Sequence, residues 1–337
     1  MTLASNNDDD RALLQCLSEG PCSGPHLAAL LGVGRAGVWK RIQGLRKAGL
    51  MIDVAPGQGY RMQQPIEWLA ADRIGSMLAP ESARRLDRLE VVWEIDSTNS
   101  EMLRRESDAH CEVLFAERQF AGRGRRGRGW VTPLGAQLAF SLRRRFDHGI
   151  GALAGLSLAV GAAAADGLAA AGYPQIGLKW PNDLMVDGRK LGGILIELGG
   201  EYAGPARVVI GIGINLALPP AAVGAIDQPW IDLRQLDSGR ALARNKIAAA
   251  LLDALLPALD QFEAEGLAPF QARWHARDVL RGREVTVIGD GPGYVGVALG
   301  IADNGALRVR HANGERLHHG GEVSVRSNAS RQPGCAA

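Results

Sequence analysis

The chain has 337 residues, 46% of them hydrophobic and 22% charged, with a formal net charge of only +2. That length allows two or three domains of ordinary globular composition. The balanced charge excludes polyanion binding through bulk charge, so any such binding must come from local clusters. The four cysteines, Cys16, Cys22, Cys111 and Cys335, form no CxxC pair and no Cys/His metal spacing. No disulfide framework and no zinc site is therefore expected, and a reducing cytoplasm fits. The polar, acidic segment Met1 to Asp10 lacks the apolar run of a signal peptide.

Residues 11 to 48 carry three short helical patterns. The first runs from Arg11 to Glu19 and stops at Gly20-Pro21. The second, Pro25 to Leu31, sets Leu27, Leu30 and Leu31 on one face, and Gly32-Val33-Gly34 turns the chain. The third, Arg35 to Ala48, places Val38, Ile42 and Leu45 together and carries Arg35, Lys40, Arg41, Arg46 and Lys47 without an acid. Two helices across a glycine turn, the second basic and amphipathic, match a helix-turn-helix whose second helix enters a major groove. Met51 to Val54, Gly57-Gln-Gly59 and Tyr60 to Met62 read as a hairpin, the wing of a winged helix. Candidate DNA contacts are Arg35, Lys40, Arg41, Lys47 and Arg61. The bland alternative is a small helical bundle with a solvated basic face. Gly34 makes a poor helix start, where Ser or Thr would cap better.

Gln63-Gln64-Pro65 is a polar joint. Beyond it, strand patterns fall at Arg88–Ile95, Glu112–Glu117, Ala136–Leu142, Gln175–Trp180, Leu184–Val186, Lys190–Leu198 and Arg207–Ile214, with a helix starting at Ser97. Asp187-Gly188 is a hairpin signal between two of these strands. The stretch from Ile150 to Ala171, built mainly of Ala and Gly and interrupted by Asp166, predicts a buried, close-packed helix, since it is too weakly apolar to span a membrane. The fold class is α+β, with a largely antiparallel or mixed sheet. The domains expected are 1–64, 67–276 and 277–328.

Gly122-Arg-Gly-Arg-Arg-Gly-Arg-Gly-Trp130 satisfies G-x-G-x-x-G literally. A dinucleotide fold would need a helix directly after the glycines, and Trp130-Val-Thr-Pro133 cannot supply it. No G-x-x-x-x-G-K-[ST] occurs, so a P-loop is excluded as well. Four arginines interleaved with glycines suit a phosphate or carboxylate that the backbone approaches closely. Ordering Gly122 to Gly129 costs roughly 8–16 kcal/mol, and the like charges repel. The loop should therefore be mobile when empty and should order over an anion. An RGG-type nucleic-acid tract is the alternative, and the flanking strands argue against it. Lys179-Trp-Pro-Asn-Asp183 lies at a strand end, Lys190 starts the next strand, Gly192-Gly193 admits a close neighbour, and Glu197 follows on the same strand. Gly211-Ile-Gly-Ile-Asn215 ends another strand in an amide suited to an adenine edge.

Taken in order, Asp96-Ser-Thr-Asn99, Gly122 to Gly127, Lys179 to Asp183, Arg189-Lys-Leu-Gly-Gly-Ile194 and Gly211 to Asn215 closely resemble the biotin–protein ligase family, including the winged helix of its bifunctional members. Strand patterns at Glu284–Ile288, Tyr294–Leu299, Leu307–Arg310 and Glu322–Arg326 extend the resemblance to a small C-terminal SH3-like barrel. Departures are slight: Gly129 stands where the family often has a longer side chain, and Gly192 precedes Gly193 where alanine is common.

The resemblance implies ATP-dependent formation of biotinyl-5′-AMP, then transfer of biotin to a lysine of the biotin carboxyl carrier protein of acetyl-CoA carboxylase. It also implies operator binding that represses biotin-synthesis genes, and a homodimer when the adenylate is bound. By resemblance, Ser97, Thr98, Asn99 and Gln119 face biotin, with Gly122, Arg123, Gly124, Arg125 and Lys190 along its carboxylate. Arg123, Arg125, Arg128, Trp130, Asn182, Lys190, Asn215 and Trp230 serve ATP and the adenylate. Lys190, Arg125 and Asp183 carry the chemistry, with Mg²⁺ held chiefly by the phosphates, near Asp183. Two other readings stay open on the residues alone: a ligand-sensing transcription factor without turnover, and a lipoate–protein ligase.

Overall fold

The computed structural model describes residues 3–200, 205–237, 242–289, 293–320 and 324–327. Cys335 and Glu322 lie outside the described residues.

The first unit comprises α1 (Leu3–Glu19), α2 (Gly24–Leu31), α3 (Arg35–Lys47) and the antiparallel pair β1 (Ile52–Ala55) and β2 (Gly59–Met62). Ser23 caps α2 by accepting from the His26 amide at 3.2 Å, satisfying one of the donors a helix start leaves open. Gly32 then closes α2 in the left-handed region at φ 61°, which costs glycine nothing. Gly34 begins α3 with no side-chain cap. Val38, Ile42 and Leu45 close a small core with Leu13, Leu14, Leu17 and Leu27. The winged helix-turn-helix expected from the sequence is thus formed.

Three details differ from expectation. Helix α1 starts at Leu3 rather than Arg11, and Arg41 on α3 holds its early turns through Asp9 (2.5 Å) and Asp10 (3.0 Å). Cys16 and Cys22 form a disulfide, against the reading from spacing. The turn that ends α1 at Glu19 folds Cys22 back to a Cα separation of 6.7 Å, a closeness that lone cysteines in a sequence do not reveal. The first unit also does not stand apart from the rest. Leu134 from the central unit is buried in its core, Trp68 donates to Ser18 at 2.9 Å, and Trp68 packs on Trp93.

The central unit opens with short helices α4 (Ala71–Met77) and α5 (Pro80–Arg84), followed by β3 (Arg88–Ile95), α6 (Thr98–Arg104), β4 (Cys111–Gln119) and β5 (Gln137–Phe146). Next come α7 (Leu156–Ala170), β6 (Gly177–Lys179), β7 (Asp183–Val186), β8 (Arg189–Gly200) and β9 (Ala206–Asn215). Helices α8 (Pro220–Val223), α9 (Leu233–Leu236), α10 (Arg244–Glu265) and α11 (Ala268–His275) complete it. The seven strands run in the order β3-β4-β5-β9-β8-β7-β6, with β3 and β4 parallel and the other pairs antiparallel. The mixed sheet read from the sequence is present.

The Ala/Gly stretch is a 3₁₀ turn, Ile150–Leu153, and then α7, divided at Gly155, whose φ of 83° no helix continues. Small residues let α7 and α10 approach until a Cβ at Gly167 would lie 2.8 Å from the Ala250 carbonyl. Helices α7, α10 and α11 cover one face of the sheet and form the main core. Arg244 and Glu117, both about 2–3% exposed, pair at 2.6 Å within it.

The third unit is a five-stranded antiparallel sheet in the order β13-β12-β11-β10-β14: β10 (Glu284–Ile288), β11 (Tyr294–Ile301), β12 (Leu307–His311), β13 (Gly314–His318) and β14 (Ser324–Ser327). Strand β13 escaped the sequence reading because Gly314-Glu-Arg-Leu-His318 is an edge exposed along most of its length and lacks apolar alternation. Among the described residues, no helix is long and apolar enough to cross a membrane.

Candidate active site

The sheet face opposite the helix layer carries a cleft of about 1770 Å³. That exceeds the roughly 300–1,000 Å³ of a single small-molecule pocket and leaves room for two substrates end to end.

One end is lined by the uncharged polar side chains of Ser97, Thr98, Asn99 and Gln119. Ser97 caps α6, accepting from the Ser100 amide at 3.4 Å, and so fixes Thr98 and Asn99 at the first turn. The Gln119 carbonyl oxygen accepts from the Thr98 amide (2.8 Å) and hydroxyl (3.1 Å), while the Gln119 amide faces Thr132. Ser141 on β5 donates within reach of both Thr98 (2.7 Å) and Asn99 (2.5 Å). The Asn99 amide donates to Glu197 at 2.8 Å and to the Leu195 carbonyl. Gly211 makes this possible, since a Cβ there would lie 2.2 Å from the Asn99 carbonyl oxygen. Gly211 belongs to the Gly211 to Asn215 motif without an assigned site role, and Ser141 lies outside every motif: its only signal is alternation onto one sheet face. Asp96 braces α6 from outside, where hydrogen bonds from Arg104 hold its carboxyl below the usual range.

The arginine loop forms one wall. It closes on itself through Gly124 N to Arg128 O at 2.7 Å and Trp130 N to Gly122 O at 2.8 Å. A Cβ on Gly122 would lie 2.5 Å from the Trp130 carbonyl, so glycine is required there, whereas Gly124 and Gly129 have ordinary or open surroundings. The longer side chain that the family often carries at position 129 would therefore fit. Arg123 pairs with Glu197 at 2.8 Å. Arg125 donates to Asn182 at 3.1 Å and to the Gly320 carbonyl of the third unit. Burial, with Arg126 as neighbour, pulls the Arg125 guanidinium below its ordinary value. Arg128 lies exposed along the cleft. Trp130 lies flat against the sheet: a Cβ on Gly213 would meet its indole nitrogen at 2.4 Å.

The opposite wall holds Lys190. The pairing of β7 with β8 shifts between Leu184 and Met185, a bulge on β8. Plain alternation would send Lys190 to the same side as Ile194, into the helix layer. The bulge instead buries Leu191 in the core and brings Lys190 onto the cleft face with Gly193, a re-aiming that bulges commonly perform. Its ammonium lies 2.6 Å from Asp183 and 5.7 Å from the Trp130 ring centroid. Asn182 donates to the Ile194 carbonyl at 2.7 Å and so fixes the turn after Lys179.

Two candidates stand elsewhere. Asn215 is 3% exposed and outside the cleft lining. It accepts from Gln137 (2.7 Å) and donates to the Ile231 carbonyl (3.1 Å), so it anchors the backbone behind Lys190. Trp230 is half-buried and pairs its backbone with Lys190 without lining the cleft. Among the DNA candidates, Arg35, Lys40, Lys47 and Arg61 are exposed. Arg41 is turned back onto Asp9 and Asp10 and does not present a free charge outward. Among the described residues, no three metal-ligating side chains cluster.

Comparison with known proteins agrees with this layout. Family models match at residues 10–61 (HTH domain), 92–215 (biotin/lipoate A/B protein ligase family) and 281–326 (biotin protein ligase C terminal domain). The chain is 40% identical to the bifunctional ligase/repressor BirA of Salmonella typhimurium, over 94% of this chain and 97% of that one. It is likewise 40% identical to that of Escherichia coli, over 90% and 93%. The structure of biotin protein ligase from Aquifex aeolicus in complex with biotin and ATP aligns with TM-score 0.62 and 25% identity, over 72% of this chain and 99% of that one. The chain belongs to the bifunctional biotin ligase/repressor family.

Proposed function

We propose that the protein is an ATP-dependent biotin–protein ligase that also binds operator DNA through its N-terminal unit. The observation that carries the ligase reading is the meeting, in one cleft, of the Lys190 ammonium, the arginine loop and the uncharged network of Thr98, Asn99 and Gln119.

A urea ring is neutral and offers both donors and an acceptor, so it enters a network of hydroxyls and amides by exchanging partners with it. The biotin carboxylate then points along Arg123 and Arg125 toward Lys190. Its oxygen attacks the α-phosphorus of ATP, the bond to the β-phosphate oxygen breaks, and pyrophosphate leaves. The acceptor lysine amine next attacks the acyl carbon, and AMP departs. Lys190 stabilises the charge that builds on the α-phosphate oxygens. Juxtaposing the two substrates supplies about 7–11 kcal/mol of the barrier, and a closed loop keeps water from the mixed anhydride. Trp130 and Asn182 bound the nucleotide end. The donor set suits a Mg²⁺ carried on the phosphates: Asp183 stands beside Lys190, and such an ion needs few protein ligands. The acceptor is a biotin carboxyl carrier domain, and a homodimer forms on the adenylate-bound state.

The test is incubation of the full chain with ATP, Mg²⁺, radiolabelled biotin and a carrier domain. ATP-dependent label that stays on the carrier through denaturation is expected. Biotin retained without transfer would instead mark a sensor, and preferential transfer of lipoate would mark the other ligase activity.

A further inference from the structure

Helix α3 buries Val38, Ile42 and Leu45. Its opposite stripe carries Arg35, Trp39 and Gln43 at i, i+4 spacing, with Lys40 and Lys47 beside them. Trp39 is 58% exposed. A tryptophan that closed the core would be buried. This one holds a large apolar surface in water at the middle of a helix whose charged residues are all basic.

We infer that Trp39 reads bases: its indole packs against thymine 5-methyl groups in the major groove while the basic residues around it hold phosphates. The inference rests on the DNA-binding reading and adds a specificity-determining residue to it. Charge complementarity selects the occupant. Arg35, Lys40, Lys47 and Arg61 are exposed, and the acids of α1 nearest the helix, Asp9 and Asp10, are already engaged by Arg41. A basic surface of this kind repels a second copy of itself and attracts a duplex. Within the groove, the methyl group is the one apolar mark on a base edge, and it separates thymine from every other base. Held on phosphates, the basic side chains supply affinity without sequence information; α3 exposes two apolar side chains, Ala36 and Trp39, and Trp39 is the large one, long enough to reach that mark from the helix surface.

The experiment uses the full chain with ATP, Mg²⁺ and biotin, selecting from a random-sequence DNA duplex library. Enriched duplexes are then remade with 2′-deoxyuridine in place of each thymine in turn, which removes only the methyl. The wild type is expected to lose affinity about fourfold at one thymine per half-site, the worth of one buried methyl group, and W39A less than about twofold there. W39F is expected to keep the discrimination. Biotin transfer by W39A at the wild-type rate shows that the variant is folded. An equal deoxyuridine penalty in wild type and W39A would overturn the role of Trp39 while leaving DNA binding intact. Failure of the wild type to enrich any duplex would overturn both. A W39A that binds the selected duplexes unchanged but sediments differently would assign the residue to a protein contact and overturn base reading.

Discussion

Lys190 is held in place before substrate arrives. Asp183 fixes the ammonium from one side, the Trp130 face lies on another, and the backbone on both sides of the residue is tied to Pro229 and Ile231 at 2.9 and 3.0 Å. A charge positioned in advance stabilises a transition state without reorganising at the moment of reaction. K190A should therefore slow biotin-dependent pyrophosphate release by about 10²–10³-fold and leave the thermal unfolding midpoint near that of the wild type, because the side chain lies on a cleft wall. Pyrophosphate release at the normal rate would remove Lys190 from the chemistry. The residue type and its place at a strand start were legible in the sequence. Its direction was not: the bulge that re-aims it arises from pairing between β7 and β8, and no local pattern encodes that register shift. For Asn215 the strand-ending amide was legible, whereas its burial and its bonds to Gln137 and the Ile231 carbonyl come from tertiary packing that no local pattern encodes.

At the level of elements, the Gly122 to Trp130 loop is pinned at few points. Arg123 reaches Glu197, and Arg125 reaches both Asn182 and the Gly320 carbonyl, which ties the loop to the third unit. Removing the Arg125 side chain deletes both of the latter contacts and adds glycine freedom to the backbone. R125G is expected to make adenylate but to release it sooner, with a dissociation rate raised about tenfold or more for the loss of roughly 1.5–3 kcal/mol in one charged hydrogen bond. A trapped-adenylate chase measures it, and an unchanged dissociation rate would refute the loop as a retaining wall. Elements with strong local signals were readable from sequence. The glycine turn before α3, the Asp187-Gly188 hairpin with φ of 49° and 74°, and the strand periods all state their geometry locally. Strand β13 and the early turns of α1 were not, because tertiary partners hold a polar edge and an acidic stretch in place.

Across the whole molecule, the three units share contacts at the cleft. Leu134, four residues after Trp130, is buried in the core of the DNA-binding unit, and a Cβ on Gly135 would meet Ile66 and Trp68 at 3.0–3.1 Å. Gly49, just beyond α3, sits against Pro219 at the start of α8 in the central unit. The third unit contributes Arg283 to the cleft lining and the Gly320 carbonyl to Arg125. The order of domains was legible in the sequence. Their packing was not, because single apolar residues such as Leu134 do not announce which core they join. Everything rests on the arginine loop closing over an activated acid. Hydrogen–deuterium exchange of the full chain, with and without biotinyl-5′-AMP, tests that claim most directly. Exchange across residues 122–130 should slow by about tenfold or more, the signature of at least roughly 1.4 kcal/mol of local ordering. Unchanged exchange in that segment, with the ligand bound and protection appearing elsewhere, would contradict the account.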